Sequence, residues 1–181
     1  FIHLDFEVSI EDWRIWAILN KIDPLITGFL RLRPEMLFNM DNTDRAFPTP
    51  RSWHMLSDAL LNFDDKLEAL DIIIGIVGEA AAMEFHGYIT NSISEEYLES
   101  IIADPNKCKL PKEIGDQYAI ISYLTYHAEK EKIRKVSGIL LNRIEPELAV
   151  LLAKDLIRSS AKFAFNKDYL KFAAKHKDFL N

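Results

Sequence analysis

Apolar residues recur every three to four positions along nearly all of this chain, and that spacing commits it to helices. Ser9 can cap a first helix, with Asp12 three residues on; Ile10, Trp13, Ala17 and Asn20 fall on one side, and Trp16 and Leu19 widen the stripe. Asp23-Pro24 opens a second helix, the Asp as cap and the Pro at the first helical position, where its missing N–H costs nothing. Leu25, Phe29 and Leu32 mark its buried side, and Pro34 limits it or starts a short turn. Residues 71 to 89 read as one apolar helix with Ile72, Ile76, Ala80 and Met83 along one side and Ile73, Val77, Ala81 and Phe85 beside it. Gly75, Gly78 and Ala82 recur in it at helical spacing, which permits close approach by a neighbouring backbone. Ser94 caps a further helix, and the pattern resumes from Gly115 and again at Val136. Glu145-Pro146 begins a helix that runs to about Ser160, before a Lys-rich final one. Only Phe1 to Val8 alternates with the period of a strand, placing Ile2, Leu4, Phe6 and Val8 on one side. The expected fold is an all-α helical bundle with one short N-terminal strand. A lone strand must dock on a neighbour or close a sheet whose other members lie upstream.

Composition narrows the function classes. A chain of 181 residues suits one compact domain, or one with an appendage. Its single Cys excludes a disulfide framework or a cysteine-built zinc site and fits a reducing, cytoplasmic setting. The apolar run from Ile72 to Gly78 meets Glu79 far too early for a membrane span, and no basic-then-apolar leader opens the chain. Its first residue is Phe rather than Met, as expected of a piece of something longer. The net charge of −6 gives no whole-chain reason to expect nucleic acid. Residues 162 to 181 nevertheless carry five Lys against two Asp. They form either a basic arm or, because Phe165, Tyr169, Phe172, Ala173 and Leu180 give them an apolar stripe, the solvated face of a last helix.

Catalytic chemistry is sparse. No glycine-rich phosphate loop or dinucleotide fingerprint occurs, and the five His, at 3, 54, 86, 127 and 176, lack metal-ligand spacing. Glu79 and Glu84 read as polar-face or capping residues, and Cys108, between Lys107 and Lys109, reads as a loop thiol without a positioned base. No complete catalytic constellation is present. The most informative stretch is Phe47-Pro48-Thr49-Pro50-Arg51-Ser52-Trp53, in which Thr49 caps a helix that continues through Trp53, Leu56 and Leu60. Arg51 then lies in the first turn, against the helix dipole, at a cost of roughly 0.3 to 1 kcal/mol unless an anion is bound nearby. It is either a harmless exposed arginine or, with the first-turn amides, a phosphate site.

Several segments taken together resemble a known family. These are Phe1-Ile2-His3-Leu4, Asp12-Trp13-Arg14-Ile15-Trp16-Ala17, Arg33-Pro34-Glu35-Met36-Leu37-Phe38, Ala46 to Trp53, and Gly75 to Phe85. Their order and spacing are similar to the end of MoxR-like AAA+ ATPases, over roughly residues 1 to 90. The resemblance implies that residues 1–8 are the closing strand of a nucleotide-binding core absent from this chain. It makes residues 9–90 a helical lid and leaves 91–181 as a helical extension without a counterpart. It also implies that Arg51 is the sensor 2 arginine that reaches the nucleotide phosphate, and that Trp13, Trp53 and Phe85 pack the lid. ATP and Mg2+ would then be cofactors of a parent chain, whose partners would be neighbouring subunits of an ATPase ring and a client protein. Ala80 departs from the family's pattern, which has Gly there. Two other readings stand beside this one: a stand-alone helical protein–protein interaction module without catalysis, and a nucleic-acid binder using the Lys-rich tail.

Overall fold

Helices begin where the sequence supplies a cap. In the structure, a computed structural model that describes residues 8–39 and 45–176, Ser9 Oγ accepts from the amide of Asp12 and opens α1, Ile10–Leu19. Asp23 does the same for Leu25 ahead of α2, Pro24–Leu32, and Thr49 for Ser52 ahead of α3, Pro50–Leu60. Next come α4, Leu70–Val77, and α5, Glu79–Asn91. Ser94 caps α6, Glu95–Ala103, through the amide of Tyr97. The remaining helices are α7, Ile114–Tyr126, α8, Glu131–Leu140, α9, Pro146–Ser159, and α10, Lys167–Lys175. Short 3-10 turns stand at Pro34–Leu37, Lys66–Ala69 and Ala161–Phe165. The described residues are therefore all-α and contain no strand. Of the expected N-terminal strand, Phe1 to Val8, residues 1–7 lie outside the described residues and Val8 has no strand partner among them; Lys177 of the basic tail and Leu180 of its apolar stripe lie outside them too.

Two hydrophobic clusters form. One gathers Trp13, Phe29, Trp53, Leu56, Ile73 and Phe85 from α1 to α5. The other gathers Ile101, Ile121, Leu140, Leu152, Phe163 and Phe172 from α6 to the end. They are joined along two seams, α2 on α7 and α1 on α9.

Three expectations need correction. The helix expected over 71–89 is broken at Gly78, whose φ of 83° and ψ of 159° end α4 and start α5. A Cβ there would run into the backbone carbonyl of Ala46, with the Ala46 carbonyl carbon at 3.1 Å and Phe47 Cα at 3.4 Å. The glycine is thus required by a loop packed on its back as much as by its own dihedrals. The buried side of α4 and α5 is Ile73, Val77, Ala81 and Phe85, whereas Ile72 and Met83 face out. In α1, Trp13 and Ala17 are buried in the first cluster as expected, but Trp16 and Leu19 are exposed. In the tail, the 3-10 turn rotates Phe165 outward to 82% exposure and buries Phe163 in its place.

Candidate functional site

The N-terminus of α3 is built by its own side chains. Thr49 Oγ1 accepts from Ser52 N at 3.0 Å, and Ser52 Oγ accepts from Thr49 N at 2.8 Å, a reciprocal capping box with serine in the third position. Pro50 has no N–H to satisfy, and Trp53 N donates to Thr49 O at 3.1 Å. What this terminus offers an anion is therefore the Arg51 amide and guanidinium. Arg51 is exposed and has no hydrogen-bond or ion-pair partner among the described residues.

Its helix is anchored from behind. Trp53 is fully buried and donates Nε1–H to the Met36 carbonyl at 2.8 Å. Its ring lies edge-on to Phe85 at 5.5 Å and tilted against Phe29 at 5.6 Å. Asn39 N donates to Pro48 O at 3.1 Å, and the Ala46-Phe47 backbone closes on Gly78. Arg33 grips Glu84 with both arms, Nη1 at 2.6 Å and Nη2 at 3.0 Å, and also reaches Glu35 at 2.5 Å. That second contact holds the Glu35 carboxyl below its ordinary value. The segments Arg33 to Phe38, Ala46 to Trp53 and Gly75 to Phe85, separate in sequence, thus meet around one aromatic cluster whose surface carries Arg51.

Of the other residues weighed from sequence, Glu84 is a structural ion-pair partner and Glu79 lies exposed in the first turn of α5. Cys108 lies against Arg143, whose guanidinium donates to the Cys108 and Pro105 carbonyls at 2.7 and 2.5 Å. That arginine borders an apolar pocket of about 330 Å3 among Leu110, Ile120, Leu140 and Leu148. Its two terminal nitrogens are committed to the loop, and Lys112, Gln117 and Glu145 add the polar part of the pocket's wall. Sequence reasoning passed over Arg33 and the role of Gly78. The string Arg33-Pro34-Glu35 hinted at the first, but the partner Glu84 is supplied by a distant helix. Among the described residues, no three His, Cys, Asp or Glu side chains converge as a metal site, and no helix is long and apolar enough to cross a membrane.

Fold and site together define an all-α helical bundle that presents, in the first turn of a firmly seated helix, an arginine unpaired among the described residues. No protein-family model matches the chain, and neither a curated protein nor a solved structure proves similar to it.

Proposed function

We propose that this chain is the C-terminal lid region of a MoxR-like AAA+ ATPase, with Arg51 serving as the sensor 2 arginine that meets the nucleotide's terminal phosphate. The observation that carries the reading is the state of Arg51. It is a cation set against the helix dipole, exposed and without a partner among the described residues, on a helix anchored by the buried Trp53. Such a cation gains most from a polyanion delivered from outside the bundle, and its fixed backbone couples the bound phosphate to the angle of the whole helix layer. The convergence of the three motif segments on one cluster supports the same reading, because together they orient α3. ATP and Mg2+ then belong to a longer parent chain. That chain supplies the phosphate loop and assembles with neighbouring subunits into a ring acting on a client protein.

The test is made in the longer chain. A Gly-x-x-x-x-Gly-Lys-Ser/Thr motif upstream of Phe1 is expected. In a protein carrying it, Arg51→Ala should lower ATP turnover by about tenfold or more, the scale of one charged phosphate contact. Its urea midpoint should stay unchanged. Turnover equal to that of the parent removes the assignment.

One observation favours the interaction-module reading. Trp16 is 37% exposed and stacks edge-on against His54 at 5.1 Å, with Leu19 and Met55 also exposed on the same two helices. A partner protein that binds this face in the absence of any upstream ATPase core would establish that reading instead.

A further inference from the structure

Phe165 is the most exposed large apolar side chain among the described residues, at 82%, and the structure holds it there. It ends the 3-10 turn Ala161–Phe165, whose other aromatic ring, Phe163, is fully buried in the second cluster. Asn166 pins the turn from behind: its Oδ1 accepts from the amides of Asp168 and Tyr169 at 2.9 and 3.0 Å, and its Nδ2 donates to the Arg134 carbonyl at 3.0 Å. Gly138 of α8 leaves room for that side chain, since a Cβ there would lie 2.9 Å from Asn166 Cγ. Lys162 and Lys167 flank Phe165, both exposed and without a carboxylate partner among the described residues. The carboxylates nearby, Glu131 and Asp168, have Lys135 at 2.7 Å and Lys171 at 3.9 Å as their partners. The result is a fixed aromatic knob in a basic surround. A large apolar side chain displayed in this way marks an interaction surface.

The same chain carries a groove of opposite charge, where the turn before α4 faces the start of α6 and the end of α7. Its volume is about 570 Å3. The walls are apolar: Leu25, Ile89, Leu98 and Tyr123 are half-buried, and Leu61 and Leu67 are exposed. Asp23, Asp64, Asp65 and Glu95 bring four carboxylates to it against one ammonium, Lys66, which Asp23 already holds at 2.5 Å. Asp64, Asp65 and Glu95 have no cationic partner among the described residues. Burial raises the Tyr123 phenol above its ordinary value, and Glu95 and Glu99 add to the shift, so their field reaches the apolar wall. Two further lysines, Lys21 and Lys130, act on the His127 ring in the same wall without cancelling the acidic excess. No residue lines both the groove and the knob.

We propose that the acidic groove receives the Phe165 knob of a second copy of this chain, the phenyl ring on the Tyr123 wall and Lys162 and Lys167 against Asp64, Asp65 and Glu95. Opposite charge selects the occupant, and the apolar walls hold it. Knob and groove are different surfaces, so the contact is head-to-tail and adds copies rather than stopping at two. Arg51 belongs to neither surface, so the inference stands apart from the nucleotide reading. The test is sedimentation of the purified 181-residue chain at up to about 500 μM, the range of a small interface. Average mass should rise with concentration, and less steeply as NaCl goes from about 50 to about 500 mM. Phe165→Ser, and separately Asp64→Lys with Glu95→Gln, should each weaken association at least about tenfold. Mixed together, these two variants should form a one-to-one dimer, since the first keeps its groove and the second its knob. Lys162→Glu with Lys167→Glu serves as the knob variant should Phe165→Ser fail to fold. A chain monomeric throughout, association undiminished by salt or by either variant, or a mixture that yields no dimer overturns the proposal. So does a monomeric chain whose groove binds a synthetic Lys-Phe peptide, which would give the groove to a different basic protein.

Discussion

Gly75 and Gly78 stand three residues apart in one apolar stretch, yet replacing each with Ala should move stability in opposite directions. At Gly78 the backbone sits at φ 83° and ψ 159°, a region essentially closed to other residues, and placing a Cβ there costs about 1 to 3 kcal/mol. The new methyl also drives into the Ala46 carbonyl, with the carbonyl carbon at 3.1 Å, so the loop ahead of α3 has to move. Overpacking of that kind adds about 1 to 3 kcal/mol. Together the two effects give a loss of about 2 to 6 kcal/mol, or a fall in the thermal midpoint of about 4 to 24 °C for a chain of this size. At Gly75, inside α4, nothing lies within 4 Å of an added Cβ, so Ala should stabilise by about 0.5 to 1 kcal/mol through backbone entropy alone. Urea unfolding followed by circular dichroism resolves both, with the m-value constant so that midpoints compare directly. A Gly78→Ala protein within 1 kcal/mol of the parent, or shifted the same way as Gly75→Ala, would refute the account of why the helix breaks.

Asp155→Ala should destabilise by about 3 to 5 kcal/mol, because it leaves the Arg31 guanidinium buried without its partner; an unfolding midpoint close to the parent's would show that Arg31 is hydrated in the folded protein. His127 packs against Tyr123 and Tyr126, with ring centroids at 4.5 and 4.9 Å. Burial holds its imidazole below the ordinary value, with Lys130 and Lys21 adding to the effect. Folding therefore favours the neutral ring: its contribution is complete above about pH 6.5, the unfolded value, and is lost as pH falls through the lower folded one. His127→Gln should flatten that part of the acid-side decline in urea midpoints, and parallel pH profiles for the two proteins would exclude His127 as its source.

What was legible in the sequence was the chemistry that acts within a few residues. Ser9, Asp23, Thr49 and Ser94 all cap the helices their positions announce, because a cap needs only its own side chain and an amide two or three residues on. Arg51 could be placed in a first turn for the same reason. Its lack of a partner could not be read, since that depends on which side chains the fold brings near. The break at Gly78 was hidden because the loop that requires it precedes α3, while the local apolar pattern runs on undisturbed. Nothing local marks Asp155 as half of a buried ion pair, because its partner Arg31 lies 124 residues earlier. In α1, periodicity alone could not decide that Trp13 would be buried in the first cluster and Trp16 left in the open.

The same long-range contacts decide how the two hydrophobic clusters move. Besides the Arg31 pair, Lys21 reaches from the end of α1 to the Tyr126 carbonyl and the Ser159 hydroxyl, both at 3.1 Å. The α2–α7 and α1–α9 seams bury apolar surface on either side of these bonds. Separating the halves would strand a fully buried carboxylate, a far larger penalty than breaking surface ion pairs such as Lys135 with Glu131. A force applied at the N-terminus of α3 therefore meets one body. It passes through Trp53 into the first cluster and through α2 into the second. If Arg51 answers to a nucleotide as proposed, residues 91–176 would turn with the lid, and whatever they touch would feel each turnover as a rigid displacement.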